Sequence, residues 1–577
     1  MKSLKYLMVL IFALSLSCED VLDRAPLDKI SETKVWSDPA LINAYVTNLY
    51  SRFPFFAFEQ DNWYSWTDEG TRSTGNSSNV TQGTISKTSE ANPLWDYSYI
   101  RDCNTFLSKI KTATMAETEK KQLEGEVRFI RAYIYFEMMK RYGGVPMVDI
   151  VIDPYQNIED KYKIRAKEEE IANFIDSECT LAASLMSDAI APRGKANRWT
   201  VLSLQARSNL WAASIAKYST VELNGLVGIP VNKANIYYQK AAAAADAVLA
   251  SGKYALYNAS PTNKSENYRK IFLVENNSEL IFVKPYDGVN VGHSWDGWQG
   301  PNQWATRGGL CDPTLDFILR YENIDGSADQ PKFGLGILYG SGAEPFAKKD
   351  PRLFATVFFQ GDKWATGTVQ SYEGLDPSAT PTLSAVISNS TQNYLGIPCI
   401  GADSRSLSKD DYSTNSGFHI KKYLDDSAIK IAENQSKTNW IVFRLAELYL
   451  IKAEAEFEQG NLKNAVEALN KTRSRAGINL LDESTISREK IRTERTSELA
   501  FETQRYWDLR RWRTAQAVLN YRFQGLQIIL HHATMKYYFI PFNCESFTRA
   551  FKQEHYYNPI TSARIDNNPK LIENPFY

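Results

Sequence analysis

LEGEVRFIRAYIYFEMMKRYGGVP, residues 123–146, decides how this chain folds. Val127, Ile130, Ile134 and Met138 recur at helical spacing, and Phe129, Phe136 and Met139 widen that apolar face. A helix apolar on so many sides has to be buried among other elements. Gly143 and Gly144 end it, and Pro146 bars its continuation. Residues 168–186, 199–218 and 235–251 read as three further helices, the last holding the run Ala241–Ala245, whose small side chains permit close approach of a neighbour. Towards the carboxyl end, 441–459 and 462–475 form two helical patterns split by Gly460-Asn461. Gly460 suits a left-handed cap, and Asn461 suits capping of the next helix. Alanines and leucines at the inward spacings make this pair resemble a tetratricopeptide-type hairpin, with no strict repeat of it elsewhere. Between these ends, residues 255–440 are rich in Gly, Asn, Ser, Asp and Trp, with short strand-like runs at 280–283 and 356–359. The class expected is mainly α: a helical scaffold carrying a long loop-rich insertion, where binding sites tend to be displayed.

The first twenty residues, MKSLKYLMVLIFALSLSCED, carry a different signal. Lys2 and Lys5 precede the apolar stretch Tyr6 to Leu16, which is too short to span a bilayer, and Ser17 leads into Cys18. A cysteine directly after such a stretch points to lipidation at Cys18. Several acyl chains at about 0.8 kcal/mol per buried methylene anchor stably.

Composition narrows the function. Lys+Arg total 66 against 67 Asp+Glu, a net charge of -1, so no basic excess points to nucleic acid. No later segment is apolar enough to span a membrane. Beyond Cys18, the cysteines at 103, 179, 311, 399 and 544 are odd in number, scattered and free of CxxC spacing, the pattern of isolated buried thiols. The chain shows no G-x-S-x-G, Walker sequence or H-E-x-x-H, and no cofactor or metal is expected. Adjacent His531 and His532 would diverge, and Asn323-Ile324-Asp325-Gly326 lacks the acidic ladder of a calcium loop.

The densest charge cluster is SREKIRTERTSELAFETQRYWDLRRWR, residues 487–513. Glu494, Glu498 and Glu502 fall four apart and read as one helix face, with Arg495 and Arg505 near at hand. Glycosidase carboxylates must flank a bond at roughly 5 to 9.5 Å, which residues on consecutive turns of one helix cannot do. An Arg–Glu lattice inside the scaffold is the expectation. The candidate ligand groups lie in two aromatic clusters, NWYSWTDEGTR at 62–72 and SWDGWQGPNQWAT at 294–306. Their Trp residues stand in polar, glycine-containing contexts instead of periodic apolar runs. A sugar's apolar face stacks on indole, and its hydroxyls need polar groups at the rim. The candidate site is Trp63, Trp66, Asp68, Arg72, Asn76, Trp295, Asp296, Trp298, Asn302 and Trp304, with at least two of the aromatics open to ligand.

Several motifs together resemble the SusD/RagB family of nutrient-binding outer-membrane lipoproteins. Trp95, Tyr99, Ile100 and Asn104, ahead of the long helix, resemble its Trp, Tyr, Ile and Asn pattern there, and Gly125-Glu126, Arg128-Phe129 and Arg131-Ala132 its G-E-x-R-F-x-R-A helix. Asp350-Pro351-Arg352, the RLAELYL run at 444–450, Glu494-Arg495 to Trp512 and Asn574-Pro575 follow in the family's order. Departures are Phe539-Ile540-Pro541 for Pro-Ile-Pro and the ending Glu573-Asn574-Pro575-Phe576-Tyr577 for Gln-Asn-Pro-Gly-Tyr. These motifs are scaffold, so no ligand residue carries over. The resemblance implies a helical body of tetratricopeptide-like pairs, lipid-anchored on the outer face of the outer membrane. It would be a non-catalytic lid over a SusC-like TonB-dependent transporter, capturing an oligosaccharide or, as the alternative, a peptide or other nutrient. Glu19-Asp20 resemble the family's acidic export tag. The organisation expected is a signal at 1–17, a lipidated tether at 18–40, a helical part at 41–254, the loop-rich insertion at 255–440 and a second helical part at 441–577. Residues 18–577 are expected to form one compact domain.

Overall fold

The computed structural model describes residues 32–577, apart from 57, 59–61, 74–76, 154, 156, 377–380, 388–390, 408–412 and 427–429. Cys18 and Asn76 lie outside the described residues. The longer helices are α1 (Pro39–Ser51), α2 (Tyr97–Lys109), α3 (Glu117–Tyr142), α4 (Glu168–Leu185), α5 (Arg198–Tyr218), α6 (Ala234–Ala250), α7 (Leu445–Glu458), α8 (Leu462–Ala476), α9 (Arg488–Glu498) and α10 (Gln504–Arg511). The fold is mainly α, as the periodicity predicts. α3 packs on α4, α4 on α5, α5 on α6, α6 on α7 and α7 on α8. The chain therefore leaves this layer after Ala250 and rejoins it at Leu445 against α6, whose small residues Ala241, Ala242, Ala244 and Ala245 are buried.

α3 is buried at every position from Phe129 to Tyr142. Its end is fixed by the glycines. Gly143 adopts φ +74°, and a Cβ on Gly144 would stand 1.9 Å from the Ala166 carbonyl oxygen. Gly144 is free of a side chain because another backbone passes there, its own N–H donating to the Leu226 carbonyl.

Two helix expectations need correction. The run read as helical from Ile441 begins as a strand, β4 (Trp440–Arg444), antiparallel to β2 (Leu280–Lys284). Ile441, Val442 and Phe443 favour a pleated surface, and β2 offers the partner that local periodicity does not reveal. Asn461 does stand at the N-cap of α8, yet its side-chain amide donates to Glu456 Oε2 at 2.7 Å instead of accepting from the helix. The sequence pattern gives no hint of the longest strand pair, β5 (Gln524–His531) with β6 (Lys536–Asn543), antiparallel in full register.

The charge cluster at 487–513 is broken rather than continuous. α9 ends at Glu498, Phe501 and Thr503 take positive φ of 54° and 64°, and α10 starts at Gln504. Glu502 is therefore off the helix of Glu494 and Glu498. Arg495 and Arg505 serve Asp508 and Asp68. The partners of the glutamates arrive from distant segments. Arg352 Nη1 sits 2.7 Å from both Glu494 and Glu498. Arg444 reaches Glu498 at 2.6 Å, Glu502 at 2.7 Å and Glu279 at 2.8 Å, and Lys422 reaches Glu502 at 2.7 Å. Burial raises the Glu498 carboxyl, but Arg475, Arg444 and Arg352 outweigh it and hold the group well below the usual carboxylate range. The lattice is thus buried, as expected from sequence, and it ties β2, β4, α8 and α9 into one frame. The five described cysteines are all buried, with no disulfide among them.

Candidate functional site

A short ladder brings the two aromatic clusters together. β1 (Gly70–Arg72) runs antiparallel to β3 (Cys311–Pro313), Gly70 opposite Pro313 and Arg72 opposite Cys311. The ladder continues through Ser73 N–H to the Leu310 carbonyl at 3.3 Å and Leu310 N–H to the Trp298 carbonyl at 2.9 Å. Gly70 allows this closeness, because a Cβ there would meet Cys311 Sγ at 2.7 Å. The loops join edge to edge, but their side chains divide into two groups.

Most of the candidates turn inward. Trp63 is 1% exposed, and its ring meets Tyr506 edge-on at 4.9 Å. Trp295 has no accessible surface; its Nε1 donates to the Lys422 carbonyl at 3.0 Å, and Tyr64 packs against it at 5.6 Å. Trp304 is buried over Gly367, whose Cβ would lie 3.1 Å from its ring. These three are loop anchors, which corrects the expectation that they are open to ligand. The indole buries more apolar area by docking onto the helical body than it would leave for a sugar.

Asp68 and Asp296 are anchors as well. Asp68 is fully buried and held bidentately by Arg505 at 2.8 Å for each bond, with Arg320 at 2.7 Å. Burial raises its carboxyl, yet Arg505 and Arg320 outweigh that and keep it far below the usual range. Asp296 Oδ1 accepts from Asp425 N–H at 2.7 Å, and its own N–H donates to Ser436 Oγ. Burial pushes its carboxyl up to about 6. Both carboxylates pin chain segments, and neither points to solvent.

Trp66, Arg72, Trp298 and Asn302 remain half-buried. Trp66 leans on Trp63 and Tyr506, each ring 5.9 Å away, whereas Trp298 turns towards Arg307, whose guanidinium carbon lies 5.9 Å from its ring centroid. Arg307 is exposed and paired with Glu433 at 2.9 Å. Trp298 Nε1 and Asn302 Oδ1, a donor and an acceptor, are buried and have no hydrogen-bond partner. Neighbouring Gln303 is exposed on a fixed backbone, with Asp403 accepting from its N–H at 3.0 Å and its side-chain amide at 2.7 Å. Arg307 and Glu433 are the groups sequence reasoning missed. Arg307 could have been found beside Gly308-Gly309, both at positive φ, which mark a tight turn next to the Trp run. Glu433 arrives from a distant loop with no local signal.

Asn323 donates its amide to the Ser327 and Asp329 carbonyls, a turn clamp with the wrong polarity for a cation. Among the described residues no cluster of His, Cys, Asp and Glu could hold a metal ion. None of their helices is long and apolar enough to cross a membrane.

Comparison with known proteins supplies the family. The model of the SusD family matches residues 278–577, and one described as starch-binding associating with outer membrane matches residues 20–210. The chain belongs to the SusD family. SusD-like protein P38 of Formosa agariphila is 25% identical over 561 residues, covering 90% of this chain and 92% of that protein. A crystal structure of a SusD-like protein from Bacteroides fragilis aligns with a TM-score of 0.75 at 24% identity, covering 96% of this chain and 100% of that one. A SusD-like carbohydrate binding protein from the same species aligns at 0.68 and 21% identity, covering 93% of this chain and 99% of that one. These structural likenesses establish the fold.

Proposed function

We propose that the chain is a non-catalytic glycan-binding lipoprotein, tethered through Cys18 to the outer face of the outer membrane, that captures oligosaccharide and passes it to a SusC-like TonB-dependent transporter. The observation that carries the binding reading is the half-buried Trp298 ring with Arg307 and Glu433 beside it, on a loop that β1 and β3 fix to the helical body. An indole face bordered by a paired cation and carboxylate, with Asn302 and Gln303 adjacent, offers a stacking platform and hydroxyl partners together. Trp66 and Arg72 stay in the proposed site as secondary contacts. Family membership and the carbohydrate binding relative support the same reading. The absence of catalysis is supported by the state of Glu494, Glu498 and Glu502. Each is buried and engaged by arginine or lysine, so none can protonate a leaving group or activate water.

The test is a glycan array with the purified protein, followed by analysis of the bound glycan for new reducing ends. Binding without cleavage is expected, and Trp298→Ala should weaken it. Binding of a peptide pool but no glycan contradicts the reading, and release of reducing ends contradicts its non-catalytic part.

A further inference from the structure

The last turn of α3 supports two aromatic systems. The Arg141 guanidinium carbon lies 5.9 Å from the Trp63 ring, within the loop described above. One residue on, Tyr142 meets Trp95 edge-to-face at 5.1 Å. Trp95 and Tyr97 form a wall of a separate open cleft of about 470 Å3, flanked by the 3-10 turn Asp160–Tyr162 and the short helix Ser562–Asn567. No residue of the 62–72 or 294–307 loops lines it. The volume falls in the range of small-ligand sites, roughly 300–1,000 Å3.

The walls set aromatic rings beside aliphatic side chains, among them Val148, Ile152, Ile158 and Leu571, and the rings are held in place. Trp95 and Tyr97 pack edge-on at 5.6 Å, the Tyr97 hydroxyl donates to the Pro146 carbonyl at 2.6 Å, and half-buried Tyr162 also lines the space. Its rim is polar, with Lys163, Asn567 and Asn568. The Asn568 amide is oriented by its bond to the Lys163 carbonyl at 2.7 Å. Each cation at this cavity has an acidic partner, Asp160 being shared between Lys163 and Lys570. Both Nη atoms of Arg564 sit on Glu90, at 2.9 and 2.7 Å, while its guanidinium carbon stacks 4.8 Å from the Trp95 ring. Lys163 lies 3.8 Å from Asp160. An anion would have to compete with Glu90 for the guanidinium. A wholly apolar ligand would strip water from the exposed Asn567 amide without replacing its hydrogen bonds. A neutral ring with one apolar face and a hydroxylated edge satisfies both walls and rim.

We infer that the cleft between Trp95, Tyr162 and Asn567 is a second saccharide site, taking one neutral pyranose ring independently of the Trp298 face. The ring's apolar face lies on the aromatic wall, and its hydroxyls meet Asn567 and Asn568. Two sites on one body lengthen the hold on a multivalent glycan, because the second contact forms at high effective concentration.

The test uses the full chain labelled with 5-fluorotryptophan, with the Trp95 and Trp298 fluorine lines assigned by their loss in Trp95→Phe and Trp298→Phe. Methyl glycosides of glucose, galactose and mannose are titrated in. The Trp95 line should shift saturably with at least one of them. That shift should weaken about tenfold in Tyr162→Ala and in Asn567→Ala, and persist in Arg307→Ala. A Trp95 line that moves with none of the glycosides, that moves equally in both variants, or that moves only with a tripeptide pool overturns the inference. Failure of the Trp298 face is read on the other line, so the two outcomes stay distinct.

Discussion

The 487–513 segment and the 294–307 loop are both crowded with charged and aromatic side chains, yet the structure uses them in opposite ways. In the first, each glutamate of the set 494, 498 and 502 is buried and held by arginine or lysine from remote strands and helices. In the second, the ion pair Arg307–Glu433 remains at the surface beside a half-buried indole. Density of charge therefore does not distinguish frame from face; solvent access does. Glu494, Glu498 and Glu502 have exchanged water for arginine or lysine.

The largest effect expected from this contrast is in the frame. Arg444→Ala removes the cation shared by Glu498, Glu502 and Glu279, leaving them to Arg352, Arg475 and Lys422, and removing one partner from a buried pair costs about 3–5 kcal/mol. Denaturant unfolding should show that loss, or the variant should fail to accumulate as folded protein. Retained stability would break the contrast at its firmest point. Asp68→Ala is the sharper case, because sequence alone places Asp68 in the ligand site. As an anchor for Arg505 it should cost about 3 kcal/mol, softened by the part-exposed Arg320, with stability falling before any change in glycan affinity. Loss of binding at full stability would return Asp68 to the site.

Acid should loosen the region beneath the face. His293 stacks on Phe58 at 3.8 Å, its Nε2 lies 3.0 Å from the Thr438 carbonyl oxygen, and burial drops its pKa from 6.5 to about 3. The folded value is the lower one, so its contribution is present above 6.5 and is lost as pH falls from there towards 3. One such group removes about 2 kcal/mol by pH 5. His293→Gln should flatten that part of a stability–pH curve measured by urea unfolding. Glu458, held at about 2 by Arg488, Lys217 and Tyr218 against the burial that raises it, loses its contribution in the same direction but only below its ordinary 4.5. The smallest effect falls on the face itself. Trp298→Ala should weaken glycan binding by about 0.5–1.5 kcal/mol while leaving stability within about 0.5 kcal/mol.

Most of the helical frame could be read from the sequence because burial imposes a local period. α4, α5 and α6 start and stop within one residue of their patterns, and α3 stops where Gly143 and Gly144 predict, although it starts at Glu117, ahead of the pattern read from Leu123. What failed was non-local. Residues 440–444 have a helical period but pair with β2, and the Glu494–Glu502 spacing spans a break at two left-handed residues. The ladder between β1 and β3, which joins the two Trp clusters, links positions far apart in the chain and leaves no local signature. Polar context singled out the loops but could not tell an indole docked inward, as in Trp63 and Trp295, from one left half-buried, as in Trp298. That choice depends on which cavity the helical body offers, and it is fixed only after folding.

Calorimetric titration of the best array glycan into the wild type, Trp298→Ala, Arg307→Ala and Asp68→Asn tests the division between face and frame most directly. The account predicts weakened binding at unchanged stability for the first two variants. It predicts lowered stability, with affinity kept in whatever fraction stays folded, for the third. Unchanged affinity in both Trp298→Ala and Arg307→Ala would contradict it.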